Sequence, residues 1–149
     1  MSLAFQYAET EGLELEAEYP YTGYDGTCAA DASKEKVKVT ADHAVPVNSV
    51  AQLKAAIAQA PVSVAIEADT MQFQFYSGGV FNSKACGTNL DHGVAAVGYG
   101  TSGSQDYYIV RNSWGASWGE SGYIRIAHTK TGAGICGINS QPVYAKSAN

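Results

Sequence analysis

The order of apolar and polar positions predicts a chain of short strands with one well-marked helix. From Ser49 to Ala60 (SVAQLKAAIAQA) apolar residues recur at Val50, Leu53, Ala56 and Ile57, a spacing that lines one face of an α-helix. Ser49 is placed to cap its start, Gln52 follows three residues later as a capping-box partner, and Pro61 stops it. A shorter helix is predicted over Leu3 to Glu11, with Leu3, Ala4, Tyr7 and Ala8 at helical spacing and Gly12 to end it. Lys36 to Thr40 (KVKVT) alternates polar and apolar residues, as a half-buried strand does. Val62 to Glu67 (VSVAIE) is rich in β-branched residues and reads as a strand. Residues 71–76 (MQFQFY) fit a short helix or a turn, and Ser77 to Val80 a turn into an extended segment.

Three further strand-like runs follow at Gly93 to Tyr99, Asp106 to Asn112 and Gly122 to Ala127. The residues Gly100 to Ser104 join the first two as a hairpin. Strands at this spacing beside few helices predict an α+β fold, with an antiparallel sheet curled towards a barrel. His92 stands just before the first of these runs and Asn112 closes the second. If the two runs pair across the turn, His92 and Asn112 arrive at neighbouring strand ends.

Composition narrows the class. Hydrophobic residues are 46% of the 149, enough for a core, and charged residues only 15%, well below the usual quarter. The net charge is -5 and no Lys/Arg run occurs, which leaves nucleic-acid binding without support. The apolar stretches are short and interrupted, so no membrane-spanning helix is expected. Met1-Ser2-Leu3 has neither the basic nor the apolar part of a signal peptide; the chain is either cytosolic or follows targeting and pro segments. Cys28, Cys86 and Cys136 make an odd set: one bridge plus a free thiol if secreted, three thiols if cytosolic. No spacing of Cys and His suits a metal, and no cofactor is expected. His43 and His128 are expected at the surface.

Two segments carry the chemistry: Asn89-Leu90-Asp91-His92-Gly93-Val94, and Arg111-Asn112-Ser113-Trp114-Gly115 running on through Trp118-Gly119-Glu120 to Gly122-Tyr123. A cysteine nucleophile reacts as its thiolate, and an adjacent imidazole takes its proton and returns it to the leaving amine. An amide oxygen that accepts the imidazole's second N–H holds the ring in one orientation. A large ring such as Trp114 can keep water from that bond. These segments, with EYPYTGYDGTC at Cys28, PVSVAIEA at 61–68, FYSGGVF at 75–81 and GICGIN at Cys136, resemble the papain/cathepsin family of cysteine endopeptidases.

The resemblance runs in order along nearly the whole chain. It implies that His92 is the general base and acid, Asn112 its orienting partner and Trp114 the shield of their bond. It implies that Trp118 lines the primed side of the cleft, that Leu90, Ala65 and Gly93 surround the pocket for the substrate side chain two residues before the scissile bond, and that Asp91 lies at the cleft edge. It pairs Cys86 with Cys136 as a disulfide. The family's nucleophile lies in a Gln-x-x-x-x-x-Cys-Gly-Ser-Cys-Trp stretch that does not occur among these residues, so no nucleophile is assigned here and Cys28 is expected as a free thiol. On the family pattern, residues 31–149 form the right-hand β-barrel-like domain, and residues 1–30 belong to or lean on a left-hand domain that is largely absent.

The implied activity is peptide-bond hydrolysis through an acyl-thioester, on peptide or protein substrates, open to cystatin-like inhibitors, in a lysosomal, vacuolar or secreted parent protein. The chain alone is expected to be inactive. The alternative is a non-catalytic peptide- or protein-binding domain, with a homodimer through the exposed interdomain face.

Overall fold

The computed structural model describes residues 1–147. The chain forms two compact units, one made of residues 1–43 with the C-terminal end from Ala145 on, the other of Ala44–Tyr144. In the first unit a helix, α1, covers Ser2–Thr10. Gly12 follows with φ +70, a left-handed conformation that costs glycine nothing. Leu13 and Val37 make an isolated antiparallel bridge. The strand β1 then runs over Val39–Ala44, several residues beyond the predicted Lys36 to Thr40. Val37 pairs with Leu13, and Thr40 Oγ1 donates to the carbonyl of Lys146 at 3.3 Å. Long-range partners, which alternation does not report, set where this strand begins. Among the described residues of this unit Ala8 is the buried hydrophobic one, while Leu3, Leu13, Leu15, Tyr21, Tyr24 and Val37 are exposed.

The second unit holds the core. Its helix α2, Val50–Ile57, starts where the pattern predicts, with Ser49 Oγ accepting the N–H of Gln52. Leu53, Ala56 and Ile57 are buried and Val50 packs at the margin of the core. Its strands are β2 (Val62–Ile66), β3 (Val80–Phe81), β4 (His92–Ser102), β5 (Gln105–Arg111) and β6 (Tyr123–Ala127), and β7 (Val143–Ser147) begins in this unit and ends in the first. A four-residue helix, α3, occupies Met71–Gln74, which resolves the choice at 71–76. The seven strands run in the order β1-β7-β2-β4-β5-β6-β3. The fold is α+β as expected, with few helices, and its sheet is not closed into a barrel. β2, β4, β5 and β6 are antiparallel neighbours, and the short β3 lies parallel to β6.

The β4–β5 hairpin is tighter than predicted. β4 continues to Ser102, which pairs with Gln105, so Gly103 and Ser104 alone turn the chain. Alternation decides the faces. Val62, Val64 and Ile66 of β2, Tyr108 and Val110 of β5, and Ile124 and Ile126 of β6 point into one cluster with Leu53, Phe73 and Ile138. Each large side chain buried there contributes about 1.5–3 kcal/mol over its exposed state. That packed core holds β4 and β5 side by side.

Candidate active site

The hairpin register brings the two strand ends together. Ile66 of β2 lies opposite His92, and Ala95 of β4 lies opposite Arg111, the residue before Asn112. The side chains meet: His92 Nε2 and Asn112 Oδ1 are 2.8 Å apart. The N–H of Ser113 also donates to Asn112 Oδ1 at 2.8 Å. A backbone N–H can only donate, so the atom between them is the amide oxygen, and the imidazole donates through Nε2–H. Nδ1 is then the ring nitrogen left to exchange a proton. Asn112 is buried, and its Nδ2 finds no acceptor among the described residues. The N–H of Asn112 donates to the carbonyl of Gly122 at 2.9 Å, which ties the strand end to the start of β6.

An aromatic cluster covers this bond on one side. The Trp114 ring lies 5.1 Å from the His92 ring, tilted 31°, and is itself 39% exposed. It stands edge-on to Trp118 at 5.3 Å and to the buried Phe73 at 5.7 Å. The indole N–H of Trp118 donates to the carbonyl of Gln74 at 2.9 Å. The sequence gives no warning of that contact, because its acceptor is a main-chain atom.

The loop that bears both tryptophans is anchored by Glu120. Its carboxylate takes Nε and Nη2 of Arg125 at 2.8 and 2.6 Å and the N–H of Gly79 at 2.9 Å. The Arg125 bonds, with the Gly79 N–H adding to them, hold the Glu120 carboxyl below its ordinary pKa. Glu120 lies within the motif read from the sequence, yet only the structure shows this anchoring.

The remaining predicted positions fall in two places. Ala65 and Gly93 are cross-strand partners, on the opposite face from the buried pair Val64 and Val94. Leu90 packs over the backbone at Gly137, where an added Cβ would come within 2.6 Å of Leu90 Cδ2. Asp91 is exposed, and its Oδ1 accepts the N–H of Ala68 at 2.8 Å. Cys86 and Cys136 form a disulfide, and Cys28 is a free, exposed thiol in the other unit.

His128 departs from its expected surface position. It is half-buried against the ring of Tyr108, with 4.0 Å between centroids, and burial first, then the charge of Lys54, lowers its pKa. His43 is half-buried as well. Among the described residues no helix is long and apolar enough to cross a membrane.

A family model described as papain family cysteine protease matches residues 1–146. The chain belongs to the papain family of cysteine proteases. It is 49% identical over 148 residues to cysteine proteinase RD21A of Arabidopsis thaliana, covering 97% of this chain and 32% of that protein. It is 50% identical over 157 residues to the KDEL-tailed cysteine endopeptidase CEP2 of the same plant, covering 100% of this chain and 43% of that protein. The chain therefore spans 32% and 43% of these relatives' length. Among solved structures, bromelain protease from Ananas comosus in complex with the E64 inhibitor matches with a TM-score of 0.91 and 39% identity, covering 97% of this chain and 68% of that one. Digestive procathepsin L 3 of Tenebrio molitor matches with a TM-score of 0.91 and 41% identity, covering 97% and 47%.

Proposed function

We propose that this chain supplies the base and its support for a papain-like cysteine endopeptidase, whose nucleophilic cysteine comes from a segment outside these residues. The observation that carries the reading is the 2.8 Å bond from His92 to Asn112 beneath the Trp114 ring. Cys86 and Cys136 are joined to each other, so neither offers a thiol.

In this reading the outside cysteine gives its proton to His92 Nδ1, and the thiolate attacks the substrate's carbonyl carbon. As the C–N bond breaks, the imidazolium returns that proton to the leaving amine, and an acyl-thioester remains. His92 then takes a proton from water, the hydroxide displaces the thiolate, and the acid leaves. Asn112 keeps the ring's Nε2–H engaged throughout, so that Nδ1 faces the reacting atoms. Trp114 limits water at the Asn112 bond. Trp118 would meet the residues after the scissile bond. Leu90, Ala65 and Gly93 would meet an apolar side chain two residues before it, with Asp91 at the cleft edge.

Residues 31–149 would form the right-hand domain. The exposed Leu3, Leu13, Leu15, Tyr21 and Tyr24 support a covering partner for residues 1–30, the left-hand domain of the same protease. The kinship with a KDEL-tailed endopeptidase and with a procathepsin supports a vacuolar, lysosomal or secreted site, where the Cys86–Cys136 bridge is stable.

The test is to produce the chain together with a cysteine-bearing left-hand portion and assay a fluorogenic peptide amide. Cleavage that requires both parts is expected; its absence from a folded product overturns the reading. The same exposed residues favour a second reading, a non-catalytic domain that binds a protein or a second copy of itself. Light scattering of the chain alone tests it, and a monomer at high concentration overturns the homodimer.

A further inference from the structure

The segment that leads into β4 is strapped to the end of β2. Glu67 Oε1 accepts the N–H of Gly87 at 2.9 Å and Oε2 the N–H of Asn89 at 2.6 Å. Next along the chain, the N–H of Asp91 donates to the carbonyl of Ile66 at 3.0 Å, and Asp91 Oδ1 accepts from Ala68. The N–H of Glu67 donates to the carbonyl of Cys136 at 2.9 Å, and Cys136 is bridged to Cys86 at the start of the segment. A Cβ on Gly87 would lie 2.9 Å from Glu67 Oε2, so the carboxylate's approach depends on glycine there. Between the two tethered residues, Asn89 and Asp91, stands Leu90, pressed onto the backbone at Gly137.

We propose that Glu67 is a positioning residue for substrate selection, its carboxylate fixing the turn at 87–89 and thereby the place where Leu90 presents its side chain. The inference rests on the peptidase reading above. Two backbone donors converge on one carboxylate, and bonds to an ionised acceptor are shorter and stronger than neutral ones. A glutamine has a single acceptor oxygen and turns its NH2 towards one of those N–H groups, so one bond is lost. The bonds at Asp91 stay, so His92 keeps its place while Leu90 loses the tether on one side. Selectivity falls and turnover persists.

The experiment uses the protease that contains this chain with its cysteine-bearing segment, unsubstituted and as Glu67→Gln. Active sites are counted by titration with an irreversible epoxide inhibitor. Peptide amides with Leu or Ala two residues before the scissile bond are then compared. The Leu-over-Ala ratio of kcat/KM is expected to fall about tenfold, through KM, with kcat within about twofold. In the same two proteins, amide exchange at Gly87 and Asn89 is expected to quicken about tenfold while Asp91 stays protected.

An unchanged ratio with a lower Tm makes Glu67 merely structural and overturns the inference, as does unchanged exchange at both amides. If the unsubstituted protein cleaves neither peptide, the peptidase reading fails and takes the inference with it. That outcome is distinct from active enzyme whose selectivity ignores the substitution.

Discussion

Asn112→Ala should separate orientation from stability. Asn112 Oδ1 accepts two bonds, from His92 Nε2–H and from the N–H of Ser113. At about 1 kcal/mol net for each, the loss would approach 2 kcal/mol. Two features reduce it. Ser113 is exposed, so water can take its N–H. The Nδ2 of Asn112 is buried without an acceptor among the described residues, so its removal returns about 1 kcal/mol of desolvation cost. The expected change is therefore at most about 1 kcal/mol, a fall of no more than roughly 3–4 °C in Tm. Activity should respond far more. A positioned imidazole contributes roughly 100- to 10,000-fold, and a ring free to turn should forfeit about 100-fold of that in kcat. The assay pairs thermal melting with single-turnover hydrolysis in the reconstituted protease. A rate within about threefold of the parent, or a loss of stability beyond about 3 kcal/mol, would refute the orienting role.

Replacing Cys86 and Cys136 together by Ala opens a bridge with a sequence separation of 50, which the chain-entropy relation values at about 4 kcal/mol; the urea midpoint reads it. Burial lowers the pKa of His128, so its contribution to stability is present above the unfolded value of about 6.5 and is lost as pH falls through the folded value. His128→Gln should flatten the urea midpoint between about pH 7 and pH 5, and an unchanged slope would refute the assignment. Glu120→Gln should cost about 1 kcal/mol at low salt and less at high salt, because the ion pair with Arg125 is partly exposed. With Glu120 intact, the lowered carboxyl pKa makes the pair's stabilisation present above the unfolded value of about 4.3 and lost as pH falls through the folded one.

Local signals carried much of this fold into view. The α2 stripe, its Ser49 cap and the pairing of His92 and Asn112 across a hairpin all depend on near neighbours or on the period of one element. What escaped depends on partners far away in sequence. β1 starts late because Val37 pairs with Leu13 and the ladder beyond it is fixed by the chain end. β7 has little alternation of its own and joins the sheet beside β2 at Ser63 and Val143. His128 looked like a surface residue because nothing near it in sequence announces Tyr108. Glu67 lies inside a plain strand motif, and its two bonds reach 20 and 22 residues ahead to backbone donors. Main-chain partners leave no residue signature, so Glu67 and the Gln74 carbonyl could be found only in three dimensions.

The central claim is that His92 activates a cysteine supplied by the rest of a papain-like protease. The rate of alkylation of that cysteine by an E64-type epoxide, with and without His92→Ala, tests it most directly. Rapid labelling of the reconstituted parent and a loss of about 100-fold or more in the variant, with both proteins folded, is the result predicted. Equal labelling rates would contradict the claim and leave the His92–Asn112 pair without a part in the chemistry.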